Sequence, residues 1–243
     1  MGCLAFGPPL LSGLQRSQRP VFSEFGMHGF PANRTVNYFL RGRPKSPQFP
    51  QSRVVDCYNK STGAHMRITR YLAENFRFDI ASLKNFAYSS PLMQSEAYSY
   101  ALTDWKRMFN GPGHERCAGA LIWQFNDIYP VTSRAFVDYF LRRKPAFYSI
   151  RRYFAPISVG IERTPKTRCP DPDEHQDSYI LSFKIFAYNT LTRHVVCVLI
   201  LQAFDLKINT WTQLEPLDAS QMVTLRAGYN TELGHLGAQA AWT

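Results

Sequence analysis

The sequence predicts an α/β region that is followed by a smaller all-β region. In residues 21–155, stretches with helical spacing alternate with short apolar runs, and the run at 117–123 has no polar alternation, as expected of a parallel strand buried on both faces. From residue 156 the apolar period becomes two, which is typical of antiparallel strands. The 243 residues, of which 45% are hydrophobic, are enough to form a core in both regions.

The first predicted element is a short strand over residues 21–25. These residues are mostly apolar, Gly26 follows them, and the strand carries one carboxylate, Glu24, close to its end. Residues 1–20 show no sustained period, and we expect them to be a disordered lead-in. Residues 41–63 contain three prolines among polar residues, which predicts a long loop.

Two amphipathic helices are predicted after this loop. Residues 64–76 carry apolar side chains, including Met66 and Ile68, that are available to one side. Residues 91–109 carry an apolar stripe at three- and four-residue steps, and the Gly-Pro-Gly at 111–113 ends this helix. We interpret the stripe as core.

A polar cluster follows the predicted strand at 117–123. The strand ends at Trp123, and the next four residues are Gln-Phe-Asn-Asp. A short helix over 146–154 is introduced by Pro145, a residue that suits the first turn of a helix. The helix over 91–109, the break at 111–113 and the buried strand at 117–123 together form the αβ unit of a parallel sheet or barrel.

The all-β region, residues 156–243, has few strands for its class. We identify strand patterns at 157–162, 181–187, 194–204 and 222–226. A complete sandwich has about seven strands. The pattern therefore predicts an incomplete β-sandwich.

Composition and charge exclude several classes of protein. The longest apolar run, residues 195–201, is far shorter than the roughly 20 residues that span a bilayer, so we expect no membrane partner. The formal charge is +10, but the basic residues are dispersed, which favours a solvated surface over a nucleic-acid site. The five cysteines are odd in number and lack zinc spacing, which predicts free thiols, no metal and a cytoplasmic protein.

The candidate site residues follow two predicted parallel strands. Glu24 and the cluster with Trp123, Asn126 and Asp127 would lie on the same rim, where parallel barrels place their sites. Aromatic faces stack on sugar rings and carboxylates bind hydroxyls, so these residue types indicate a carbohydrate. Taken alone, the residue types favour a surface carboxylate at a strand end for Glu24 and a structural histidine for His28, while Asn126 and Asp127 could either bind hydroxyls or brace their loop.

Several motifs, in a fixed order, carry a resemblance to a known family. They are FSEFGMHGFP at 22–31, EAY at 96–98, GALIWQFNDIYP at 119–130, VDYF at 137–140, KPAFY at 144–148 and RAGYN at 226–230. These motifs resemble the β-mannosidases of glycoside hydrolase family 2, and most closely the fungal B-type enzymes. The resemblance runs from about residue 21 to the end of the chain.

The resemblance implies both a fold and an activity. Residues 21–155 would be the C-terminal part of a (β/α)8 TIM-barrel catalytic domain, residues 156–243 an incomplete immunoglobulin-like β-sandwich, and the chain a C-terminal fragment. The activity would be that of a retaining exo-glycosidase that removes terminal non-reducing β-D-mannose from β-mannosides and oligosaccharides, without a cofactor. Glu24 would be the nucleophile, Trp123 the floor of the mannose subsite, and His28, Asn126 and Asp127 further contacts.

Two departures from the family pattern qualify this expectation. In the family the acid/base Glu follows an Asn, and no Asn-Glu dipeptide occurs in this sequence. We therefore predict that the isolated chain does not hydrolyse β-mannosides. At position 134 an arginine stands where the family commonly has tryptophan. The alternative function is that of a non-catalytic carbohydrate-binding or scaffolding remnant.

Overall fold

The computed structural model describes residues 21–41, 49–61, 63–76, 82–109, 111–169, 178–205, 208–213 and 221–241. The lead-in predicted over residues 1–20 lies outside this part of the chain. Two compact units are formed: the first takes in the described residues of Met1–Trp105 and Cys117–Phe154, and the second those of Lys106–Arg116 and Ala155–Thr243. In the part that the structure describes, no helix combines the length and apolar character needed to cross a membrane.

The first unit combines a two-stranded parallel sheet with five helices among its described residues. In chain order its elements are β1 (Val21–Phe25), α1 (Asn33–Leu40), α2 (Arg53–Cys57), α3 (Ala64–Asn75), α4 (Leu83–Arg107), β2 (Gly119–Ile122) and α5 (Pro145–Tyr153), the last two residues of α4 being counted with the second unit. Strands β1 and β2 pair in parallel, with Val21 opposite Gly119 and Phe25 opposite Ile122. The predicted α/β character of this region is confirmed.

The core of the first unit is built by the helices and by the segment that follows β1. Phe30 is fully buried and meets Phe86 edge to face, with ring centroids 5.2 Å apart. Ile68 and Leu72, four residues apart on α3, are also fully buried. The buried apolar cluster comprises Phe30, Val36, Phe39, Val55, Ile68, Leu72, Phe86, Ala87 and Met93.

Two burial predictions for this unit are wrong. Met66 is 77% exposed, because two residues along a helix correspond to a rotation of about 200° and Ile68 already faces the core. Leu121 is 64% exposed, although β2 reads as a strand buried on both faces. Within the described residues nothing covers the face of β2 that carries Leu121, so the strand is not buried on both faces.

Helix α4 begins eight residues earlier than the apolar stripe predicts. The stripe predicts that Pro91 opens this helix, but Pro91 lies inside it. Proline cannot donate a backbone hydrogen bond, and interior positions are normally unfavourable for it. The preceding turns are nevertheless held by burial: Phe86, Ala87 and Ser90 are all inaccessible, and the Ser90 hydroxyl accepts the Phe30 N–H at 3.0 Å.

The second unit is all β apart from the end of α4. Its strands are β3 (Ile157–Cys169), β4 (Ser178–Asn189), β5 (Val195–Leu199), β6 (Gln202–Asp205), β7 (Thr210–Gln213), β8 (Gln221–Leu225) and β9 (Tyr229–Ala241). A three-stranded antiparallel sheet has the order β3-β4-β9, while β5 pairs with β8 and β6 with β7. The described strands thus number seven, and the prediction of four is wrong.

Two local features explain the missed strands. The stretch predicted as one strand over 194–204 is divided into β5 and β6. Strand β9 contains Gly234 and Gly237 among polar residues, so it lacks the apolar alternation that predicts a strand. Its pairing with β4 along the register from Ser178–Ala241 to Asn189–Tyr229 supplies the backbone hydrogen bonds instead.

Arg107 contacts three strands of the second unit. Its Nε and Nη2 donate to the Glu232 carboxylate at 2.8 Å each, and Nη1 donates to Glu162. The guanidinium also lies 4.4 Å from the centroid of the Phe186 ring. One side chain therefore joins β3, β4 and β9.

We predict that Arg107→Met lowers the free energy of unfolding by about 2 kcal/mol, because the largely buried Glu162 loses its closest cation. Lys184, at 3.5 Å from Glu162, limits the loss. Urea unfolding followed by circular dichroism measures the change. The matched control is Arg70→Met, which removes the exposed Arg70–Glu74 pair and should cost about 0.5 kcal/mol or less. Equal effects of the two substitutions would contradict the assignment.

Candidate functional site

The two parallel strands end side by side at the candidate site. The Trp123 N–H, directly after β2, donates to the Phe25 carbonyl at the end of β1 at 2.8 Å. Glu24 and Trp123 are thereby held on adjacent strand ends, and their exposed fractions are 60% and 50%. The Trp123–Gln124 peptide is cis. A carboxylate and an indole thus face solvent from neighbouring positions of one rim.

Gly26 is where the two strand ends approach most closely. A Cβ atom at this position would lie 2.1 Å from the carbonyl oxygen of Trp123 and 2.6 Å from Cδ of Arg134. Such distances are far below van der Waals contact, and one of the two neighbours is backbone. Only glycine therefore fits between Trp123 and Arg134.

Arg134 reaches the candidate nucleophile. Its Nη1 lies 3.8 Å from Oε1 of Glu24, and its side chain is 35% exposed. Its backbone carbonyl accepts hydrogen bonds from the Tyr98 hydroxyl at 3.0 Å and from Nε2 of Gln94 at 3.1 Å. The sequence marks this residue only as a departure from the family pattern, and no local signal predicts its contact with Glu24.

Gln94 on α4 ties the segments of the site together. Its side chain is fully buried, and Nε2 donates to the carbonyls of Met27 at 2.7 Å, Arg134 at 3.1 Å and Ala135 at 3.3 Å. These carbonyls belong to the segment after β1 and to the loop after β2. One amide therefore holds both loops against the same helix, a role that the apolar stripe of α4 does not predict.

Aromatic rings support β1 from below. Phe22 stacks on Trp105 with ring centroids 3.9 Å apart, and Phe25 meets Trp105 and Tyr98 edge to face at 4.9 and 5.4 Å. Alternate side chains of a strand point to opposite faces. Strict alternation would place Phe22 and Phe25 on opposite faces, but the register of β1 is irregular between them, and both rings contact α4 while Glu24 stays exposed.

Asp127 braces the loop, whereas Asn126 stays accessible. Asp127 is buried and accepts a hydrogen bond from the Ser133 hydroxyl at 2.9 Å; burial raises the pKa of its carboxyl group. Asn126 is exposed, and its Nδ2 donates to the Asp127 carbonyl at 3.3 Å. Of the two readings that the sequence leaves open, the geometry favours bracing for Asp127 and leaves Asn126 able to contact a ligand.

His28 is buried between the strand end and the helices. Desolvation first, and then the positive charges of Arg134, Arg67 and Lys144, lower the pKa of His28 from 6.5 to about 4. The ring is therefore neutral at neutral pH. Its burial gives it no open face for substrate in this structure, and its charge state excludes it as a cationic proton donor.

Lys144 is a further buried charge that the sequence does not predict. It precedes α5, and its Nζ donates to the Gly29 carbonyl at 2.9 Å. Burial lowers the pKa of Lys144 to about 8, and the carboxylates of Asp127 and Asp138 partly offset this effect. The buried Lys144 ammonium and the buried Asp127 carboxylate therefore both stabilise the loop that follows β2.

We predict that stability falls as the pH drops from 6.5 towards 4. In that interval the unfolded chain protonates His28 while the folded chain does not, so the unfolded state binds more protons and is favoured. One fully linked proton changes the free energy of unfolding by about 1.4 kcal/mol per pH unit. Urea titrations at several pH values measure the slope. His65, whose pKa is also lowered by burial, contributes with the same sign.

His28→Gln should reduce this slope because it removes the largest contribution. The control is His114→Gln, which removes an exposed histidine and so tests whether the loss of any histidine changes the slope. A slope that is unaffected by His28→Gln would show that the buried ring is protonated in the folded state.

The comparisons with known proteins identify related β-mannosidases. No family model matches the chain. Beta-mannosidase B of Thermothelomyces thermophilus is 38% identical over 218 residues, which cover 88% of this chain and 25% of that protein. Beta-mannosidase B of Aspergillus flavus is 43% identical over 141 residues, which cover 58% of this chain and 16% of that protein.

Solved structures show the same fold. A β-D-mannosidase from Dictyoglomus thermophilum matches 93% of this chain and 24% of its own, with a TM-score of 0.72 and 24% identity. The exo-chitosanase CsxA from Amycolatopsis orientalis matches 88% of this chain and 23% of its own, with a TM-score of 0.57 and 13% identity. The chain spans about a quarter of the length of these proteins. The chain is therefore similar in sequence to proteins named Beta-mannosidase B and in fold to a β-D-mannosidase, and it corresponds to between 16% and 25% of the length of these relatives.

Proposed function

We propose that this chain carries the nucleophile and part of the mannose subsite of a retaining exo-β-mannosidase. The observation that carries the proposal is the parallel pairing of β1 and β2, which places Glu24 and Trp123 on adjacent strand ends. The related proteins named Beta-mannosidase B supply the sugar and the linkage. The substrates would be β-mannosides and oligosaccharides with a terminal, non-reducing β-D-mannose.

The proposal extends to the architecture. Strands β1 and β2 would be neighbouring strands of a (β/α)8 TIM barrel, and the second unit an immunoglobulin-like β-sandwich domain. Catalytic groups of such barrels lie at the carboxyl ends of the strands. Glu24 and Trp123 both occupy that end of the β1–β2 pair.

The proposed chemistry begins at the Glu24 carboxylate. One of its oxygens forms a bond to the anomeric carbon as the bond from that carbon to the leaving oxygen breaks, and a covalent glycosyl-enzyme results. A second carboxyl group, about 5 to 5.5 Å from the first, protonates the leaving oxygen and later activates water. The family takes this group from an Asn-Glu dipeptide, which is absent from this sequence. Ordinary mannosides, whose leaving groups are strongly basic, would therefore not be turned over.

The other site residues have supporting roles in this proposal. The Trp123 indole offers an apolar face on which the mannose ring stacks. Asn126 is accessible to sugar hydroxyls, and Asp127 keeps the loop in place through Ser133. Neutral His28 fills the space beneath the rim.

We predict that 2,4-dinitrophenyl 2-deoxy-2-fluoro-β-mannoside labels Glu24. Dinitrophenolate leaves as an anion with its bonding electron pair and needs no proton, so the missing acid does not prevent the attack. The fluorine slows hydrolysis of the glycosyl ester, which should accumulate. Intact-mass spectrometry shows the added sugar, peptide mapping locates it, and absorbance follows the released dinitrophenolate.

Glu24→Gln should abolish the label because an amide oxygen is a far weaker nucleophile than a carboxylate. The matched control is Glu74→Gln on α3, whose glutamate pairs with Arg70 on the helix surface and should not affect labelling. Labelling of another residue, or none, would overturn the assignment of Glu24. In all cases β-mannobiose should remain uncleaved.

We predict that Trp123→Ala weakens mannose binding about tenfold, the loss expected for one sugar–aromatic stacking contact of about 1 kcal/mol or more. Titration calorimetry or ligand-observed NMR measures the affinity. Trp211→Ala, which removes another exposed tryptophan in the second unit, is the control and should leave binding unchanged. Mannose binding that depends on Trp123 without labelling of Glu24 would favour the alternative of a non-catalytic carbohydrate-binding chain.

A further inference from the structure

Arg134 and Glu24 form an ion pair in which neither side chain is shared with a second charged group. The guanidinium Nη1 lies 3.8 Å from Oε1 of Glu24. In the part of the chain that the structure describes, no other cation lies at ion-pair distance from Glu24, and no other carboxylate from Arg134. Arg107, by contrast, pairs with two carboxylates. Glu24 is therefore the carboxylate on which the charge of Arg134 acts most directly.

Both members of this pair are held in place by backbone contacts. Glu24 lies on β1, which pairs with β2. The Arg134 carbonyl accepts hydrogen bonds from the Tyr98 hydroxyl at 3.0 Å and from Nε2 of Gln94 at 3.1 Å. The Arg134 side chain then passes over Gly26, where a Cβ atom would lie 2.6 Å from its Cδ. The approach of the guanidinium to Glu24 is thus fixed by the fold of the strand ends.

The pair acts on Glu24 through charge and not through a directed hydrogen bond. Its 3.8 Å separation exceeds the length of an N–H···O hydrogen bond, so the guanidinium does not fix the rotation of the carboxylate. Coulomb attraction falls only with the inverse of the distance and persists at this separation. Because the two side chains are 60% and 35% exposed, solvent keeps the attraction small.

Attack on a sugar removes the charge on which this attraction depends. As one Glu24 oxygen bonds to the anomeric carbon, the carboxylate becomes a neutral ester, and the electron pair of the broken bond leaves with the departing oxygen. Positive charge develops on the sugar ring in the same step, and a neighbouring guanidinium repels it. An interaction that is stronger in the ground state than in the transition state slows a reaction.

We propose that Arg134 restrains the nucleophile: its ion pair with Glu24 stabilises the free carboxylate and lowers the rate at which that carboxylate attacks a sugar. This inference rests on the proposed function, because it takes Glu24 as the attacking group. It adds a residue that sets the rate of attack. Arg134 is a positioning residue in this proposal, since it acts on the sugar only through the charge of Glu24.

The test measures how fast 2,4-dinitrophenyl 2-deoxy-2-fluoro-β-mannoside labels Glu24 in the full chain, at a series of reagent concentrations. Arg134→Gln removes the charge and should raise the maximal labelling rate about twofold to fivefold, the range that an exposed ion pair supports. The reagent concentration that gives half of this rate should stay within about twofold, because the restraint acts after binding.

Two readouts distinguish restraint by charge from a structural role. At about 1 M salt the Debye length is about 3 Å, which is shorter than the 3.8 Å separation. Salt should therefore speed the labelling of wild-type protein towards the rate of Arg134→Gln, and the rate of the variant itself should not change. Arg134→Lys keeps the positive charge and should label at a rate closer to wild type than to Arg134→Gln.

The matched control is Arg151→Gln. It changes the net charge by the same amount at an exposed position in the last turn of α5, and it should leave the labelling rate unchanged. Circular dichroism of each variant verifies the fold. The contacts of the Arg134 backbone carbonyl with Tyr98 and Gln94 do not depend on the side chain at position 134.

Equal or slower labelling of Arg134→Gln would overturn this proposal, and slower labelling would show that Arg134 orients Glu24 for attack instead. A salt effect of the same size in wild type and Arg134→Gln would also reject it. In these cases the label on Glu24 still supports the proposed function. If Glu24 is labelled in none of the proteins, the proposed function fails, and the restraint fails with it.

Discussion

The parallel pairing of β1 with β2 determines where every candidate site residue lies. The hydrogen bond from the Trp123 N–H to the Phe25 carbonyl brings the two strand ends level, and Gly26 permits the close approach of their backbones. Gln94 and Tyr98 then hold the adjoining loops against α4. The positions of the two strand ends are therefore set by backbone contacts, and the site side chains project from these fixed positions.

Part of this arrangement could be predicted from the sequence, and the rest depends on contacts between distant residues. The strand ending near Glu24 and the one ending at Trp123 are visible as short apolar runs, and their common rim follows from parallel pairing. The length of α4 could not be predicted, because a proline is typical of a helix start and Pro91 lies within this helix. Burial of Phe86 stabilises the turns before Pro91, and burial depends on the tertiary fold. Strand β9 is also hidden, since its glycines and polar residues have no apolar period.

The candidate site, too, could be predicted only in part from the sequence. Residue type and position indicate Glu24 and Trp123, but burial decides between the two readings of Asp127, and burial is a property of the folded loop. Arg134 and Glu24 are separated by 110 positions in the chain, and no local pattern could join them. The fold is also shared with an exo-chitosanase at a TM-score of 0.57, so the fold alone does not select the sugar. Selection has to come from side chains such as those on this rim.

Gly26 has a consequence for how this site can vary. Since its missing side chain makes room for Arg134, positions 26 and 134 are not independent: a methyl group at one requires a shorter residue at the other. A shorter residue at 134 would still leave the clash with the backbone carbonyl oxygen of Trp123, which no substitution removes. Variation of the candidate site is therefore open at residue 134 and closed at residue 26.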